Sequence, residues 1–466
     1  LEGSSLLYID FSKDARHLGG SSLAQIVNAL GTDVPTVRDA QYFAACFGAI
    51  QNLIRENQIL SGHDISSGGL ITTLLEMCFA VPGAGLRLQF NPGDDLVRKL
   101  FAENPGVVIQ VANAEKVRQA LTDQGIAVET LGTVIMNEKV TLVSGASQIE
   151  LAVAEHRELW FNTSYLFDKI QRPKGHANLR KNNLGHQPLA YQFQPRFTGT
   201  FATYSIDPRR RNPSGIKAAI IREKGVNGDR EMAYTLYLAG FDVKDVHMTD
   251  LVSGREDLRD VNLIVFVGGF SNSDVLGSAK DWAGAFLYNA KAKTALENFY
   301  NRPDTLSLGV CNGCQVMMEL GLVYRELNIQ QHPKMHHNGS GKFESAFVNV
   351  TIPQNHSVML QSYAGARLGV WLAHGEGRFR LPADLKVNIG ATFSYAEYPG
   401  NPNDSDRAVA ALYSHDGRHL AIMPHIERSL FTWNWPHYPE GKLAHEVSPW
   451  IEAFVNARDW VAARAK

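Results

Sequence analysis

The second half of the chain alternates unbroken apolar runs with helical patterns, and this alternation constrains the fold more than any other feature. Strands are predicted at “IKAAIIR” and “NLIVFVGG”, and a stretch between them, “DREMAYTLYLAG”, has the spacing of a helix that ends at Gly240. Buried strands that alternate with helices predict a parallel, doubly wound α/β sheet. Ligands of such sheets bind beyond the carboxyl ends of the strands, so the loops there are the first candidates for a site.

One of these loops contains a cysteine in a distinctive setting. In “LSLGVCNGCQVM” a predicted strand passes directly into a predicted helix, with Cys311 at the junction between Gly309 and Gly313. The pattern Gly-x-nucleophile-x-Gly is typical of a nucleophile elbow, in which glycines relieve crowding and the N-terminus of the helix favours a thiolate. A metal-binding or redox pair with Cys314 is the weaker interpretation, because no second cysteine pair exists and Cys314 is expected to face the core.

A cysteine nucleophile needs a base and a group that orients the base, and two His-x-Glu pairs lie downstream. They are His374 with Glu376 and His425 with Glu427. Residues i and i+2 of an extended segment point to the same side, so either glutamate could hold its histidine. The apolar stretch “HLAIMPHIER” predicts a strand that ends just before His425, whereas glycines around His374 indicate a turn or a strand edge. The context favours the pair His425 and Glu427.

The front of the chain has a separate organisation. Residues 1–155 contain predicted strands such as “SLLYIDF” and “GVVIQV” and an amphipathic helix in “VRDAQYFAACFGAIQNLIREN”, which predicts an α+β domain. Cys46 and Cys78 lie in apolar helical patterns and are expected in its core. Residues 156–212 begin as a helix and continue as a polar stretch without periodicity, which predicts a long surface linker. Residues 213–466 form the doubly wound domain.

Composition excludes several classes of protein. The formal net charge of -2 over 466 residues argues against a general nucleic-acid binder. No apolar stretch approaches the roughly 20 residues needed to cross a bilayer, and “LEGSSLLYIDF” does not have the pattern of a signal peptide. Four cysteines in so long a chain indicate a reducing compartment, and we expect a cytoplasmic protein. The chain lacks an initial Met and enters a strand within a few residues, so we expect a piece of a longer polypeptide.

Several stretches of the second half resemble the class I (triad) glutamine amidotransferase domain of the phosphoribosylformylglycinamidine synthase family. They include “GVCNGCQ”, “GGFSNSDVLGSAKDWA”, “AHGEGRF” and “MPHIER”, and the resemblance spans about 213–466. It implies that Cys311 is the nucleophile, His425 the base and Glu427 the carboxylate that orients the base. It also implies an oxyanion-hole region, whose backbone N–H groups would bind the tetrahedral intermediate, at Gly268, Gly269 and Asn312.

The first half resembles the last synthetase subdomain of the same family, through “LLYIDFSKDARHLGGSSLAQ” and “SGHDISSGGLITTLLEMCFA”. This resemblance implies that Asp64 is a Mg²⁺ ligand and that Ser66 contacts ATP, or ADP held at a structural site. A carboxylate suits Mg²⁺, and Gly68-Gly69 at the start of a helix would suit a phosphate. Taken alone, the glycine pair is more typical of a simple helix cap.

The chain departs from the family pattern at residues outside the triad. Asn272 and Ser273 stand where Tyr and Gly are usual, in the loop over the glutamine pocket. Ile426 stands where Pro is usual. Ser67 stands where Asp is usual, which bears on the geometry of a phosphate or metal site.

The family resemblance implies a purine-biosynthesis ligase. Its reaction converts formylglycinamide ribonucleotide, glutamine, ATP and water into formylglycinamidine ribonucleotide, glutamate, ADP and phosphate, and the amidotransferase domain supplies the ammonia. The expected partners are glutamine and, through upstream domains, the ribonucleotide, with no nucleic acid or membrane. Two alternatives stay open. A stand-alone cysteine hydrolase would leave the front half unexplained, and a non-catalytic nucleotide-binding scaffold would leave an intact triad unexplained.

Overall fold

The computed structural model describes residues 1–464, with Lys174 and Glu440 described by their backbone alone. Contacts within the chain divide it into two compact units, Leu1–Leu166 and Phe167–Lys466. Each unit has its own sheet and its own apolar core. Within residues 1–464, every helix is too short or too polar to span a bilayer.

The first unit is a seven-stranded sheet with helices on both faces. Its strands are β1 (Ser5–Asp10), β2 (Ser61–Asp64), β3 (Gly85–Phe90), β4 (Gly106–Val111), β5 (Glu129–Ile135), β6 (Lys139–Ser144) and β7 (Ser147–Ala152). Its helices are α1 (Ser22–Ile26), α2 (Ala40–Arg55), α3 (Gly69–Phe79), α4 (Leu96–Phe101), α5 (Ala114–Thr122) and α6 (Val153–Gln171), which extends past the boundary between the units. The strand order is β2-β4-β1-β5-β3-β6-β7. Among these described strands the pair β3 and β6 is parallel and the other neighbours are antiparallel, which confirms the predicted α+β character.

Strand β1 explains why both faces of this sheet are covered. Alternate residues of its “LLYI” run face a core under helix α3 and a core under helices α2 and α5. Side chains alternate across a strand, so a strand that is apolar at every position must be buried on both sides. Cys46 and Cys78 are buried in these two cores, as predicted.

The second unit is a nine-stranded mixed sheet in the order β14-β13-β16-β17-β18-β11-β10-β8-β9. Its strands in the large sheet are β8 (Lys217–Arg222), β9 (Asp242–His247), β10 (Leu263–Phe266), β11 (Leu306–Val310), β13 (Glu344–Thr351), β14 (Arg367–His374), β16 (Asn388–Phe393), β17 (Val409–Tyr413) and β18 (His419–Ile422); β12 (Lys334–His336) and β15 (Arg378–Arg380) form a small separate ribbon. Its helices are α7 (Lys174–Asn183), α8 (Asp229–Ala239), α9 (Met248–Ser253), α10 (Lys280–Tyr288), α11 (Ala290–Asn301), α12 (Asn312–Glu319) and α13 (Ile451–Ala462).

The sheet of the second unit is parallel in one half and antiparallel in the other. Strands β9, β8, β10, β11 and β18 run parallel, which confirms the predicted doubly wound part. Strands β17, β16, β13 and β14 continue the sheet in antiparallel pairs, which the sequence analysis did not predict. The described chain from 344 to 413 contains no α-helix. Antiparallel neighbours need no helical crossover, so the parallel order ends at β18.

Residues 156–212 were predicted to begin as a helix and to continue as an irregular surface linker, and the second part contains a helix as well. Helix α7 forms inside the part that lacks an apolar period. Its Ala177 is fully buried, and Nε2 of His176 lies 2.6 Å from Oδ2 of Asp404. Such tertiary contacts stabilise a helix whose own pattern is too weak to recognise in the sequence. The prediction of a linker without periodic structure is therefore wrong for α7.

Two close approaches beside the predicted elbow require glycine. A Cβ atom on Gly313 would lie 1.9 Å from the carbonyl oxygen of Phe266, and one on Gly309 would lie 2.5 Å from the carbonyl oxygen of Gly313. Helix α12 can therefore pack against strands β10 and β11 because neither position carries a side chain. The pattern Gly-x-Cys-x-Gly has a steric explanation at both of its glycines.

We expect Gly313→Ala to destabilise the second unit by at least about 2 kcal/mol, because the new methyl group overlaps backbone that cannot move independently. The matched control is Gly284→Ala in helix α10, where the nearest atom to the new Cβ is Cδ2 of Tyr288 at 3.8 Å. That variant should be neutral or more stable by about 0.5–1 kcal/mol, since alanine favours a helix interior. Thermal unfolding of the two variants beside the parent chain measures both effects. Equal melting temperatures would contradict the packing argument.

Candidate active site

Three neighbouring parallel strands end at one place in the second unit. Gly268 and Gly269 follow β10, Cys311 follows β11, and His425 follows β18. Strands β10, β11 and β18 are adjacent in the sheet, so their carboxyl ends bring these residues together. This is the position at which doubly wound sheets bind their ligands.

Cys311 occupies a strained backbone position between β11 and α12. Its φ is 53° and its ψ is -109°, and it forms the N-cap of α12. A non-glycine residue with such a φ costs of order 1–3 kcal/mol, and such strain is concentrated at functional sites. The side chain is 5% exposed, and its Sγ lies 3.6 Å from the carbonyl oxygen of Ala373. The local geometry is that of the predicted nucleophile elbow.

Cys314 has a different environment one turn into the helix. Its side chain is fully buried, as predicted. Burial, and secondarily the proximity of Cys311, raise the pKa of the Cys314 thiol well above its ordinary value. A thiol that stays protonated and inaccessible is a core residue and not a nucleophile.

His425 and Glu427 form a buried pair beside Cys311. Nδ1 of His425 lies 2.6 Å from Oε1 of Glu427, and both side chains are almost completely buried. Burial alone would lower the pKa of His425, but the charges of Glu427 and Cys311 outweigh burial and raise this pKa to about 10. The imidazole also lies within hydrogen-bonding reach of the Cys311 side chain. The three side chains therefore have the arrangement that a nucleophile, a base and a group that orients the base require.

The other His-x-Glu pair is not assembled. His374 is buried, and neither of its ring nitrogens has a hydrogen-bond partner among the described residues. Burial, and then the charge of His425, lower the pKa of His374 to about 3, so this ring is neutral. Glu376 instead accepts a hydrogen bond from the Ser278 N–H at 3.4 Å and lies 3.8 Å from His337. The geometry selects the pair that the sequence context favoured.

Strand β14 supports both partners of the Cys–His pair through its backbone. The carbonyl oxygen of Trp371 accepts a 2.7 Å hydrogen bond from the His425 N–H, and the carbonyl oxygen of Ala373 faces Cys311. Ser429 donates to the His425 carbonyl and accepts from the Trp371 N–H. These contacts could not be predicted from the sequence, because every residue has a backbone carbonyl and residue type does not indicate which carbonyl makes a contact.

The predicted oxyanion-hole residues lie against the same pair. A Cβ atom on Gly268 would lie 2.7 Å from Cε1 of His425, so a side chain at this position would displace the base. Gly269 has a φ of +133° and approaches Val226 closely. The backbone of Asn312 begins helix α12 directly after Cys311. These positions combine close backbone approach with helix-terminal N–H groups, which suits the binding of a developing oxyanion.

The candidate nucleotide site of the first unit is far less complete. Asp64 ends strand β2 with its side chain 80% exposed, and Ser66 is also exposed. The Gly68 N–H donates to Oε1 of Glu103 at 2.8 Å, and the Gly69 N–H donates to the Ser66 carbonyl. The expectation that this glycine pair would bind a phosphate is therefore not supported, because protein acceptors already occupy both N–H groups. Within residues 1–464, no group of three or more histidine, cysteine, aspartate or glutamate side chains could hold a metal ion.

Two family models match the chain. The model of the CobB/CobQ-like glutamine amidotransferase domain matches residues 215–461, and that of the AIR synthase related protein, C-terminal domain, matches residues 2–145. The chain belongs to the CobB/CobQ-like glutamine amidotransferase family. The match covers Cys311, His425 and Glu427, and residues 215–461 are therefore called the amidotransferase domain.

Curated relatives agree with both matches. The chain is 39% identical to the probable phosphoribosylformylglycinamidine synthase, chloroplastic/mitochondrial, of Arabidopsis thaliana, over 98% of this chain and 34% of that protein. It is 38% identical to phosphoribosylformylglycinamidine synthase of Homo sapiens, over 98% of this chain and 36% of that protein. The chain thus spans about a third of the length of these relatives. The family resemblance found in the sequence is confirmed.

A second loop of the amidotransferase domain closes over the start of α12. Asn272 and Ser273 both have left-handed φ values, 50° and 60°, at the place where the chain departs from the family pattern. The Asn312 side chain holds this loop by accepting from the Ser271 N–H at 3.2 Å, and it donates to Gln315. Gln315 was missed in the sequence, although a polar residue on the buried face of a short helix was a usable signal. The loop is tied to the elbow through side-chain amides.

We expect a diazoketone or chloroketone analogue of glutamine to label Cys311 and to spare Cys314. The elbow residue is 5% exposed and has a neighbouring base, whereas Cys314 is completely buried and protonated. Peptide mapping by mass spectrometry identifies the labelled cysteine. Cys311→Ala should abolish the label, and Cys314→Ala should leave it intact. Predominant label on Cys314 would overturn the elbow assignment.

Proposed function

We propose that the amidotransferase domain hydrolyses glutamine through Cys311, His425 and Glu427 and that the ammonia released is used for formylglycinamidine ribonucleotide synthesis. The observation that carries this proposal is the buried 2.6 Å contact between His425 and Glu427 beside a cysteine at a strained elbow. Membership of a glutamine amidotransferase family supports glutamine as the substrate.

The first half of the proposed reaction forms a thioester. Cys311 attacks the side-chain amide carbon of glutamine while His425 takes the thiol proton. The negative charge that develops on the amide oxygen is stabilised by N–H groups at Gly269 and Asn312. His425 then gives its proton to the departing nitrogen, and ammonia leaves a glutamyl thioester on Cys311.

The second half releases glutamate. His425, neutral again, takes a proton from a water molecule that attacks the thioester carbon, and the thiol is restored when the C–S bond breaks. Glu427 has the same two tasks in both halves, which are to hold the imidazole in one orientation and to stabilise its protonated form. The raised pKa of His425 supports the second task, because it reflects stabilisation of the protonated ring by the Glu427 carboxylate.

The role of the first unit rests on the names of the relatives, which are phosphoribosylformylglycinamidine synthases. We propose residues 1–155 as part of the ATP-dependent synthetase, 156–212 as the connection and 213–466 as the amidotransferase domain. ATP would supply the activation of the formylglycinamide oxygen by phosphorylation, after which ammonia displaces the phosphate. Asp64 offers one carboxylate to Mg²⁺ and Ser66 one hydroxyl group to a nucleotide. Mg²⁺ commonly combines such a carboxylate with phosphate oxygens and water, so these residues fit as a partial ligand set.

We expect His425→Ala to reduce glutamine hydrolysis by about a thousandfold or more, because nucleophile and base act as a unit. The matched control is His374→Ala, at the other His-x-Glu pair. It removes a buried neutral ring that has no hydrogen-bond partner among the described residues, so its smaller effect should come through packing. Glutamate release at saturating glutamine compares the two variants. The opposite ranking would mean that the wrong histidine was assigned as the base.

The isolated chain should not make formylglycinamidine ribonucleotide. Its first unit offers an incomplete nucleotide site, and in coupled enzymes loop closure driven by another substrate often completes the second site. We expect slow, uncoupled glutamine hydrolysis at most. The assay follows ATP-dependent product formation from the ribonucleotide with either glutamine or ammonium, and Cys311→Ala serves as the control for glutamate release. Robust synthesis by the chain alone would show that the synthetase site is misplaced. No loss of glutamate release in Cys311→Ala would refute the glutaminase assignment.

A further inference from the structure

A buried polar cluster joins the segment that precedes the amidotransferase domain to β13, the strand next to the edge of the large sheet. Nη1 of Arg172, at the end of α6, lies 2.5 Å from Oε1 of Glu344 and 2.7 Å from the hydroxyl of Tyr398. Nε of the same guanidinium lies 3.3 Å from Asp168. Glu344, Tyr398 and Asp168 are each less than 9% exposed. These residues belong to the second compact unit but Arg172 and Asp168 lie outside the stretch that matches the amidotransferase family, 215–461.

Glu344 connects this cluster to the active site through strand register. It begins strand β13 and lies directly opposite His374, the last residue of β14. The residue before His374 is Ala373, whose carbonyl oxygen faces Cys311 Sγ. The backbones of an antiparallel pair are linked by the hydrogen bonds of the ladder. A shift of Glu344 is therefore transmitted to the backbone group that contacts the nucleophile.

A second set of contacts leads to the turn that follows β14. Helix α7 places His176 against Asp404, and the neighbouring Asn403 donates to the Gly377 carbonyl at 2.6 Å. Asn338 donates to the His374 carbonyl at 2.7 Å and accepts from the Gly377 N–H. The turn from His374 to Gly377 is thus held by Asn338 and Asn403, and Asn403 adjoins the Asp404 that contacts α7. The imidazole of His374 does not help to hold the turn, since its nitrogens have no hydrogen-bond partners among the described residues.

Strand β14 is the edge strand of the large sheet, with β13 as its ladder partner. On its other side it is met by isolated bridges, and one of these joins Trp371 to His425. The same strand therefore contacts both Cys311 and His425, and it has one ladder partner where the central strands have two. Its position in the sheet depends on its eight-residue register with β13, in which Glu344 is the partner of His374.

We propose that Arg172 is a positioning residue for the amidotransferase site, which acts by fixing the end of β14 through Glu344. The proposal rests on the glutamine hydrolysis proposed above. A buried ion pair adds little net stability compared with apolar residues of the same size, but it can specify one arrangement. Displacing reacting groups by about 1 Å can cost roughly a hundredfold in rate, so a small shift of β14 is sufficient.

The test compares Arg172→Met with a matched arginine at the opposite edge of the sheet. Arg210 also comes from the segment before the domain, and its Nη1 lies 2.8 Å from Asp242 on β9. The two side chains are similarly buried, 16% exposed for Arg172 and 19% for Arg210. Arg210→Met therefore removes the same kind of contact far from β14. Each variant is made in the full chain and assayed for kcat, KM and melting temperature.

We expect Arg172→Met to lower kcat about 10- to 100-fold with a smaller change in KM. Arg210→Met should leave kcat within about threefold, even if the two variants lose similar thermal stability. Arg172→Lys, which keeps a charge opposite Glu344, should recover part of the loss. Glu344→Gln, which keeps the shape of the side chain, should also lower kcat. This variant tests the proposal even if Arg172→Met does not fold. A kcat in Arg172→Met and Glu344→Gln equal to that of Arg210→Met would overturn the proposal.

The rate of Cys311 alkylation by iodoacetamide separates this proposal from the proposed function. If the parent chain released no glutamate, the glutaminase assignment would fail on its own. The alkylation rate would still report on Arg172, because it depends on how Cys311 is held beside His425 and not on glutamine. We expect a changed rate in Arg172→Met and an unchanged rate in Arg210→Met. The same rate in both variants would exclude a positioning role.

Discussion

The buried contact between His425 and Glu427 is the interaction on which the amidotransferase site depends. An imidazole enclosed by protein is driven towards its neutral form, as His374 shows with a pKa of about 3. Two opposite charges about 4 Å apart attract by roughly 4 kcal/mol at an effective dielectric constant of about 20, which corresponds to about three pKa units. A carboxylate in contact with the ring can thus reverse the effect of burial. The pKa values of His425 and His374, which share the same local motif, differ because His425 contacts this carboxylate and His374 does not.

The two halves of the large sheet contribute differently to the site. The parallel half brings Gly268, Cys311 and His425 together at the ends of adjacent strands, which follows from the βαβ topology. The antiparallel half contributes no side chain to the triad. Its edge strand β14 instead offers the carbonyl groups of Trp371 and Ala373 to the base and the nucleophile. The proposed catalytic geometry therefore relies on strands that carry no residue of the triad.

Sequence reasoning was strongest where chemistry and local conformation coincide. The elbow could be predicted because only glycine fits at positions 309 and 313, where a side chain would overlap the backbone. The doubly wound half could be predicted from its continuous apolar strands. The antiparallel half and helix α7 could not, because their stability comes from partners distant in the chain, such as Asp404 for His176. The supporting carbonyl groups of β14 have no signature in residue type. The sequence predicts the candidate reacting groups but not the backbone contacts that hold them.

The first unit shows the opposite case, in which a motif is present but the site is not. The glycine pair at the start of α3 resembles a phosphate cradle, yet the Gly68 N–H is bound to the carboxylate of Glu103, which also accepts from the Ser22 N–H. A side-chain carboxylate thus occupies the position that the motif alone would give to an anion. Oδ1 of Asp64 lies 3.6 Å from Nδ1 of His63 and the side chain is largely solvated, and one exposed carboxylate is too weak a ligand to hold Mg²⁺ by itself. The three residues of the proposed triad lie together because they follow adjacent strands of one sheet. The nucleotide ligands of the first unit become a site only if phosphate oxygens or further groups complete the coordination, which makes metal binding there conditional on the nucleotide.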